Sequence, residues 1–465
     1  MASAPPALER RLGPYDAAAI IVSNVIGGGI LFLSPVIAAG VPNAVWFIGA
    51  WLAGGALAFA GAMAYAELAS VRPRAGGEYV YLNAAYGRLA GFLTGWTSFV
   101  AGFTGAIAAN AIVLAFYIGR FIPWASVDSA YFVLPLPFIP LTVSPQTIVA
   151  VSAIWLMAFV HLRGVGPGTL VSNILAALKV GAFLMFIILG FSFGTGSTAN
   201  LTQAVAPVAP SAWLFAFIPI MFTYSGWNAA TYVAEEVRDP GKNVAKALAI
   251  GTLAVTAIYV FLNVLYIYVI PIDELAKVKG SVLDIVADRL LGTAAGNIMG
   301  VVSIIGLLAG ISGNTFAGPR VYYAMARDGV FFERAAAIHP TYRTPANAIV
   351  AQGIWSTLLV LSGGANALTT YTGFTVVLFA GVAVTTLFVL RSREPNAPRP
   401  FTALGYPIAP AIFAVVSLLI VLNALWTDLV SPMTTGQPFG PSAAGLLVIA
   451  LGLPLYWWFS RKHQA

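Results

Sequence analysis

Twelve apolar segments, each long enough to cross a lipid bilayer, constrain what this chain can fold into. They lie at about 15–40, 44–70, 88–119, 146–162, 169–193, 209–235, 244–270, 294–326, 346–362, 366–390, 406–427 and 441–460. A transmembrane helix needs about 20 mainly apolar residues, and hydrocarbon tolerates only structures that satisfy every backbone polar group internally. Of the 465 residues, 59% are hydrophobic and only 8% are charged, which is too few charged residues for the surface of a soluble protein of this size. The sequence therefore predicts an all-α integral membrane protein with twelve transmembrane helices.

The positions of the basic residues predict the orientation. If the tail at 1–14 is cytoplasmic, 18 of the 23 lysines and arginines lie on the cytoplasmic side. The external side receives Arg120, Lys277, Lys279 and Arg289, and Lys179 lies within a span. This excess is what the positive-inside rule requires. The even number of spans also places the tail at 461–465 in the cytoplasm, and the net charge of +7 reflects topology rather than a nucleic-acid partner.

Two of the spans contain small-residue interruptions near mid-membrane. Span one reads Ser23-Asn24-Val25-Ile26-Gly27-Gly28-Gly29-Ile30, and span six reads Phe222-Thr223-Tyr224-Ser225-Gly226-Trp227-Asn228. Glycine weakens helical continuity, so we expect the first helix to stop near Ile26 and to restart after Gly29. A restarted helix presents free N–H groups and the stopped helix presents free carbonyls, which together suit a zwitterion. For either interruption alone, a glycine face for close helix packing is the alternative.

The spacing of the interruptions predicts an internal repeat. The second interruption lies five spans after the first, and an odd offset inverts the orientation of a helix in the membrane. Spans one to five, at 15–193, and spans six to ten, at 209–390, would then be inverted repeats that each begin with a broken helix, which is typical of transporters. The two spans at 406–460 lie outside the repeat.

Several motifs resemble one transporter family. The first interruption is similar to the first-helix glycine motif of the amino acid–polyamine–organocation superfamily, and the second, with Glu235-Glu236 and Asp239-Pro240, is similar to the sixth-helix signature of its L-type amino acid transporter branch. Tyr65-Ala66-Glu67-Leu68, the loop at 73–81 and Gly310-Ile311-Ser312-Gly313-Asn314 resemble further parts of that branch. The resemblance covers about 15–400. It implies a LeuT-type 5+5 inverted-repeat fold with broken helices 1 and 6 plus two extra helices, and secondary transport of amino acids.

The resemblance also implies a substrate site. Backbone N–H groups of Gly27, Gly28, Gly29 and Ile30 would bind the carboxylate, and carbonyls of Asn24, Val25, Phe222 and Ser225 would surround the ammonium. Phe222 would cover the site, Trp227 and Asn228 would line it, Ser312 would add a contact, and Ile26, Tyr224 and Gly226 complete the interrupted segments. Gly28 stands where the family often has serine, so backbone donors must suffice. The alternatives are packing roles for the two aromatic residues, a helix-cap role for Asn228, and a bond from Ser312 to its own helix backbone.

Lys179 is the charged residue nearest to mid-depth, where a charge costs at least about 2.5–3.5 kcal/mol. In the branch that the sequence resembles, the matching lysine lies against the first broken helix and span eight, where sodium-coupled relatives hold a cation. A tethered ammonium there predicts sodium-independent transport, and burial favours its neutral form, which would permit proton coupling. A lysine that only snorkels to the membrane surface is the alternative.

Four glutamates and one histidine lie at the predicted cytoplasmic ends of spans. We expect Glu67, Glu78, Glu235 and Glu236 to form ion pairs with arginines at an inner gate, with a proton relay as the alternative. His161 is predicted to be a membrane-edge residue rather than a proton sensor.

The residue types present and absent bound the function. No catalytic residues, metal ligands or cofactor site are predicted, because no histidine lies in mid-span and the chain has no cysteine. The absence of cysteine also excludes a disulfide-linked subunit, and we expect a monomer in the cytoplasmic (inner) membrane. No acidic or basic residue lies at the depth of the interruptions in spans one, three, six or eight, which favours neutral L-amino acids. Small residues of span three would face the site: Gly102, Gly105, Ala106, Ala108, Ala109 and Asn110.

The mode of transport stays open at this point. Exchange and proton coupling both fit the residues, as does symport of other small zwitterions or amines. A channel or a membrane enzyme would share the hydropathy but not the paired interruptions. The sequence therefore predicts a secondary active transporter of neutral amino acids.

Overall fold

The computed structural model describes residues 8–135, 140–363, 365–435 and 441–462, and it is almost entirely helical. The ends of the two predicted tails, 1–7 and 463–465, lie outside the described residues. The first helices are α1 Pro14–Val25, α2 Gly28–Gly40, α3 Ala44–Val71, α4 Glu78–Tyr86, α5 Arg88–Thr97, α6 Phe103–Gly119, α7 Pro145–Leu162, α8 Val165–Phe193 and α9 Pro210–Tyr224. The others are α10 Ala229–Tyr232, α11 Pro240–Val269, α12 Ile272–Leu275, α13 Val282–Leu291, α14 Thr293–Arg327, α15 Ala346–Leu361, α16 Ala365–Arg393, α17 Ile408–Thr435 and α18 Pro441–Lys462.

Among the described residues, nine helical segments are long and apolar enough to cross a membrane. α1 and α2 together form a tenth if they are taken as one span, bent by 47°. Two further apolar helices, α9 and α15, have only 15 and 16 residues. α9 is short because it ends at the second interruption. The molecule is thus a multi-pass helical membrane protein.

The segment at 120–145 departs from the all-α prediction. Two short strands, β1 Phe132–Leu134 and β2 Leu141–Val143, pair antiparallel with Phe132 opposite Val143. The residues of these two strands are exposed or half-exposed, so the hairpin is part of a surface loop and leaves the helical architecture unchanged.

α1 lies at the centre of the helix bundle. It packs against α8, α11 and α14, while α2 packs against α9 and α3 packs against α11. The approach to α11 is close, because a Cβ atom on Gly251 would lie 2.9 Å from the Cβ of Ile21. The interrupted helix is therefore surrounded by protein, which is where irregular backbone at membrane depth is tolerated.

The third long span contains a π-helical turn at Ser98–Gly102, between α5 and α6. Such a turn displaces backbone carbonyls from the helical ladder, and it often occurs at functional sites. Side chains of two other helices bind the displaced carbonyls: the Tyr322 hydroxyl donates to Ser98 O at 3.2 Å, and Trp355 Nε1 donates to Val100 O at 3.0 Å. The turn is thereby fixed in position.

Candidate functional site

The first interruption comprises Ile26 and Gly27. α1 ends at Val25, the backbone of Gly27 is extended, and α2 starts at Gly28. The helix therefore resumes at Gly28 and not after Gly29 as predicted from the glycine run. The reason is that Gly28 and Gly29 adopt helical geometry and are small enough for neighbouring helices to approach them.

The start of α2 presents backbone N–H groups that have no helical partner. The Gly28 N–H donates to Asn110 Oδ1 of α6 at 3.2 Å. The N–H groups of Gly29 and Ile30 have no hydrogen-bond acceptor among the described residues. Free N–H donors at the positive end of a helix suit an anionic group.

The second interruption follows Tyr224, where α9 ends. Gly226 has a φ of +98°, a conformation that side chains with a Cβ atom rarely adopt, so this position requires glycine. The chain then makes one short helix, α10, before it turns toward α11. The interruption that the sequence predicts at Ser225 and Gly226 is present.

The two interruptions lie directly against each other. A Cβ atom on Gly29 would lie 2.8 Å from Thr223 Oγ1, and one on Gly226 would lie 2.8 Å from the Cβ of Asn24. The Tyr259 hydroxyl of α11 lies 2.8 Å from Val25 O and 3.1 Å from Thr223 O, so it can donate to either chain. The freed peptide groups of both helices thus share one small volume.

A cavity of about 500 Å³ opens beside the interruptions. This volume lies within the usual range for small-molecule sites, about 300–1,000 Å³. The cavity extends from Gln146 and Gly280 at one end to Glu78 at the other. Most of the predicted site residues line it: Asn24, Val25, Gly27, Gly28, Gly29, Phe222, Ser225, Gly226 and Asn228.

The other predicted site residues do not line the cavity. Ile26 and Ile30 are buried. The Tyr224 hydroxyl donates to Trp51 O at 3.0 Å, and Trp227 packs edge-on against Tyr65 with ring centroids 4.8 Å apart. The structure therefore favours the packing alternative for Trp227. Of the small residues of span three, Gly102, Ala106, Ala109 and Asn110 line the cavity, while Gly105 and Ala108 do not.

Ser312 does not line the cavity, and its hydroxyl contacts side chains of two other helices. Its hydroxyl lies 2.9 Å from His161 Nε2 and 3.1 Å from the hydroxyl of Ser172. His161 lies at the end of α7 and is 1% exposed, so its side chain is buried between helices. Together these side chains form a buried polar link between α7, α8 and α14.

Asn24 carries the most unusual polar group of the cavity. Its side chain is 8% exposed, and both its Oδ1 and Nδ2 lack a hydrogen-bond partner. A buried amide without partners costs about 1–3 kcal/mol, so this amide at the cavity wall is a candidate group for binding a polar ligand.

Lys179 is fully buried beside the first interruption. Its Nζ donates to Ile26 O at 2.5 Å and to Ser23 O at 3.4 Å. Gly306 of α14 is its neighbour, because a Cβ there would lie 3.7 Å from Lys179 Cε. The ammonium thus occupies the carbonyl end of α1, where the helix dipole is negative.

Ion pairs close the end of the molecule opposite Gln146 and Gly280. Glu236 and Arg320 form a bidentate pair at 2.7 and 3.1 Å, and their side chains are 0% and 1% exposed. Glu235 binds Arg327 at 3.0 Å, and it accepts the Ala75 N–H at 3.0 Å. The backbone of residues 11 and 12 also donates to Glu236 O.

Glu67 binds Arg391 at 2.6 Å and Arg399 at 3.3 Å.

Glu78 does not belong to these ion pairs, contrary to the prediction. Its Oε1 accepts hydrogen bonds from the Tyr65 hydroxyl and from Asn228 Nδ2, both at 2.7 Å. It also lines the cavity, so an acidic group does reach this space, from a helix outside the interrupted spans. Sequence reasoning missed this because α4 reaches the cavity only through the fold.

The fold and the site define a multi-pass helical membrane protein with an internal cavity at which two helix interruptions meet. Residues 12–451 match the amino acid permease family, and the chain belongs to that family. Members are permeases, so the protein is a transporter and not an enzyme.

Three relatives show the range of similar proteins. The human large neutral amino acids transporter small subunit 2 is 30% identical over 97% of this chain and 80% of its own. The serine/threonine exchanger SteT of Bacillus subtilis is 24% identical over 98% of both chains. The human b(0,+)-type amino acid transporter 1 is 30% identical over 89% of this chain and 82% of its own.

Proposed function

We propose that this protein exchanges neutral L-amino acids across the cytoplasmic membrane, by alternating access and without sodium. The observation that carries the proposal is the cavity in which two helix interruptions meet, with the N–H groups of Gly29 and Ile30 unpaired. The names of the relatives support the substrate class and the mode, since they include a large neutral amino acid transporter and a serine/threonine exchanger.

The substrate would bind with its zwitterion across the two interruptions. Its carboxylate would accept hydrogen bonds from Gly29 and Ile30, and the amide of Asn24 would bind one polar end. Its ammonium would lie against carbonyls of the interrupted segments, where Val25 O still has a lone pair beside its Tyr259 contact. Charge-assisted bonds of this kind are about twice as strong as neutral ones, so both ends of the zwitterion contribute.

The architecture we propose has twelve spans in a LeuT-type 5+5 inverted repeat. Two of these spans would contain helices shorter than a full transmembrane helix. One span would consist of α9 and α10, and the other of α15. The repeats would comprise 15–193 and 209–390, and both termini would be cytoplasmic. In this topology the ion pairs of Glu67, Glu235 and Glu236 form the closed inner gate, and the cavity faces outward.

Lys179 would replace a coupling cation. Its ammonium already binds the carbonyls at the end of α1, the group of oxygens that a sodium ion would need. Transport would therefore not require sodium.

We propose that the protein acts as a monomer. One relative is named a small subunit, which implies a further subunit for that protein, whereas this chain has no cysteine with which to form a disulfide to another subunit. The alternative function is proton-coupled symport of a small zwitterion or amine.

Counterflow in liposomes tests the proposal. The purified protein is reconstituted with internal unlabelled leucine, alanine or serine, and entry of the labelled amino acid is followed in sodium or in choline buffer. We expect saturable entry that requires internal substrate and is equal in both buffers. Strong stimulation by sodium would contradict the role of Lys179. Entry into empty liposomes that is driven by a pH gradient would favour the proton-coupled symporter. Flux that does not saturate would indicate a channel.

A further inference from the structure

Glu78 is held at the inner end of the cavity by a tight loop. Gly76 and Gly77 have φ values of +115° and +51°, and a Cβ atom on Gly77 would lie 2.5 Å from the Tyr232 ring. The loop therefore packs closely on α10, and α4 starts with Glu78, which is 7% exposed and lines the cavity. Its position is fixed by backbone geometry rather than by an ion pair.

The hydrogen bonds of Glu78 can be made in either protonation state. Both donors, the Tyr65 hydroxyl and Asn228 Nδ2, bind Oε1, and no described residue donates to Oε2. In the neutral carboxyl group, Oε1 is the carbonyl oxygen and accepts the same two bonds, while Oε2 carries the proton. Because Glu78 lines the cavity, Oε2 is the oxygen left to exchange that proton with water.

Among the described residues around Glu78, none carries a charge that would hold it ionised. The titratable groups that face it are phenols: Tyr65 of α3, Tyr232 of α10 and Tyr81 of its own helix. The basic residues of the neighbouring helices are engaged elsewhere, since Arg320 binds Glu236, Arg327 binds Glu235, Arg391 binds Glu67, Arg88 binds Asp328 O and Arg393 binds Ala85 O. Burial raises the pKa of Glu78 to about 7, although the bonds from Tyr65 and Asn228 partly oppose this.

Lys179 is less suited to exchange protons during transport. It is 0% exposed, it does not line the cavity, and its Nζ is bound by two backbone carbonyls. A proton carrier must meet the aqueous cavity, and Glu78 satisfies this condition.

We infer that the carboxyl group of Glu78 is a proton-binding site of the transport cycle, which loads from the cavity and controls Asn228 at the second interruption. The inference rests on the proposed amino acid exchange. When Glu78 is ionised, its bond to Asn228 is charge-assisted and holds the inner end of the cavity closed. When Glu78 is protonated, that bond becomes neutral and weaker, and the inner end opens more readily.

The test is the pH dependence of exchange in liposomes, with the internal and external pH equal. We expect the wild-type exchange rate to be at least about threefold higher at pH 6 than at pH 8, with a midpoint near the pKa of the Glu78 carboxyl group. The variant E78Q retains an oxygen that accepts from both donors and mimics the protonated state, so its rate should be high and independent of pH. The matched control E394Q removes an exposed carboxylate paired with Arg72, and it should keep the wild-type profile.

A binding measurement covers the case in which E78Q folds but does not transport. Calorimetry of substrate binding at pH 7, in two buffers of different ionisation enthalpy, gives the protons taken up per substrate. We expect proton uptake by the wild type and none by E78Q. A flat wild-type pH profile, or an E78Q profile or proton uptake like that of the wild type, would overturn the proton site. If the wild type neither exchanges nor binds neutral amino acids, the proposed function fails instead.

Discussion

Single residues decide whether the two interruptions can meet. Gly29 approaches Thr223 so closely that a Cβ atom would lie 3.1 Å from the Thr223 Cα as well as 2.8 Å from its Oγ1. Since a Cα atom cannot rotate away, the G29A variant must separate the two interrupted helices. We expect exchange to fall by at least about tenfold, a loss of about 1.4 kcal/mol or more of transition-state stabilisation, while the protein still folds. Counterflow and size-exclusion chromatography measure the two effects.

Gly49 offers the matched control for this substitution. It lies within α3, and a Cβ atom there would meet nothing within 4 Å. Alanine is the better helix former by about 1 kcal/mol, so G49A should transport like the wild type. Equal activity of G29A and G49A would show that the close approach at Gly29 is not needed.

The hydrogen bonds of Lys179 hold the end of α1. K179M removes the donor to Ser23 O and Ile26 O and leaves buried carbonyls, each at a cost of about 1–3 kcal/mol. We expect exchange to fall by at least about tenfold, because the end of α1 loses its geometry. The control K242M changes an exposed lysine of α11 and should leave exchange unchanged. Exchange by K179M at the wild-type rate would contradict the role we propose.

The sequence predicts the residues whose own type is unusual for their depth. Three glycines in an apolar segment and one lysine in mid-span need no knowledge of the fold to attract attention, and the structure places them together. Asn110, Tyr259 and Glu78 are ordinary in their local sequence. They reach the interruptions from α6, α11 and α4, and only the packing of these helices shows it.

Among the elements, a contact between α14 and the segment after α10 closes the end of the cavity opposite Gln146. Breaking a buried ion pair by removing one partner typically costs about 3–5 kcal/mol, since the remaining charge stays buried. R320M leaves Glu236 in this state, and we expect it to lower the unfolding temperature markedly in detergent. Thermal unfolding followed by tryptophan fluorescence measures the effect.

An exposed pair provides the comparison for the buried one. Glu274 and Arg289 form an ion pair whose side chains are 44% and 43% exposed, and exposed pairs contribute about 0–1 kcal/mol. R289M should therefore hardly change the unfolding temperature. A similar small effect of R320M would mean that the contact between Arg320 and Glu236 does not stabilise the fold.

The elements themselves were predictable to different degrees. Long apolar segments define most helices well, because length and hydropathy suffice for them. The resumption of the helix at Gly28 and the pairing of β1 with β2 were not predicted. Both depend on contacts with other parts of the chain, such as the bond from Gly28 to Asn110, which no local pattern encodes.

At the scale of the whole molecule, the cavity is asymmetric. One end reaches Gln146, in the first turn of α7, and the loop residue Gly280, and the other end is closed by the ion pairs of Glu235 and Glu236. A transporter with alternating access should expose the cavity to one side at a time, and bound substrate should shift this equilibrium. The chain has no cysteine, so single cysteines can report accessibility without background.

Val113 lines the cavity, and V113C should react with a membrane-impermeant maleimide added from outside. Saturating neutral amino acid should slow this reaction by about fivefold or more, because bound substrate fills the cavity and favours closed states. The control S129C lies in an exposed loop and should react at the same rate with or without substrate. Substrate-independent labelling of V113C would mean that the substrate does not bind in this cavity. Labelling of V113C only from the opposite side of the membrane would instead reverse the topology, since the open end would then face the cytoplasm.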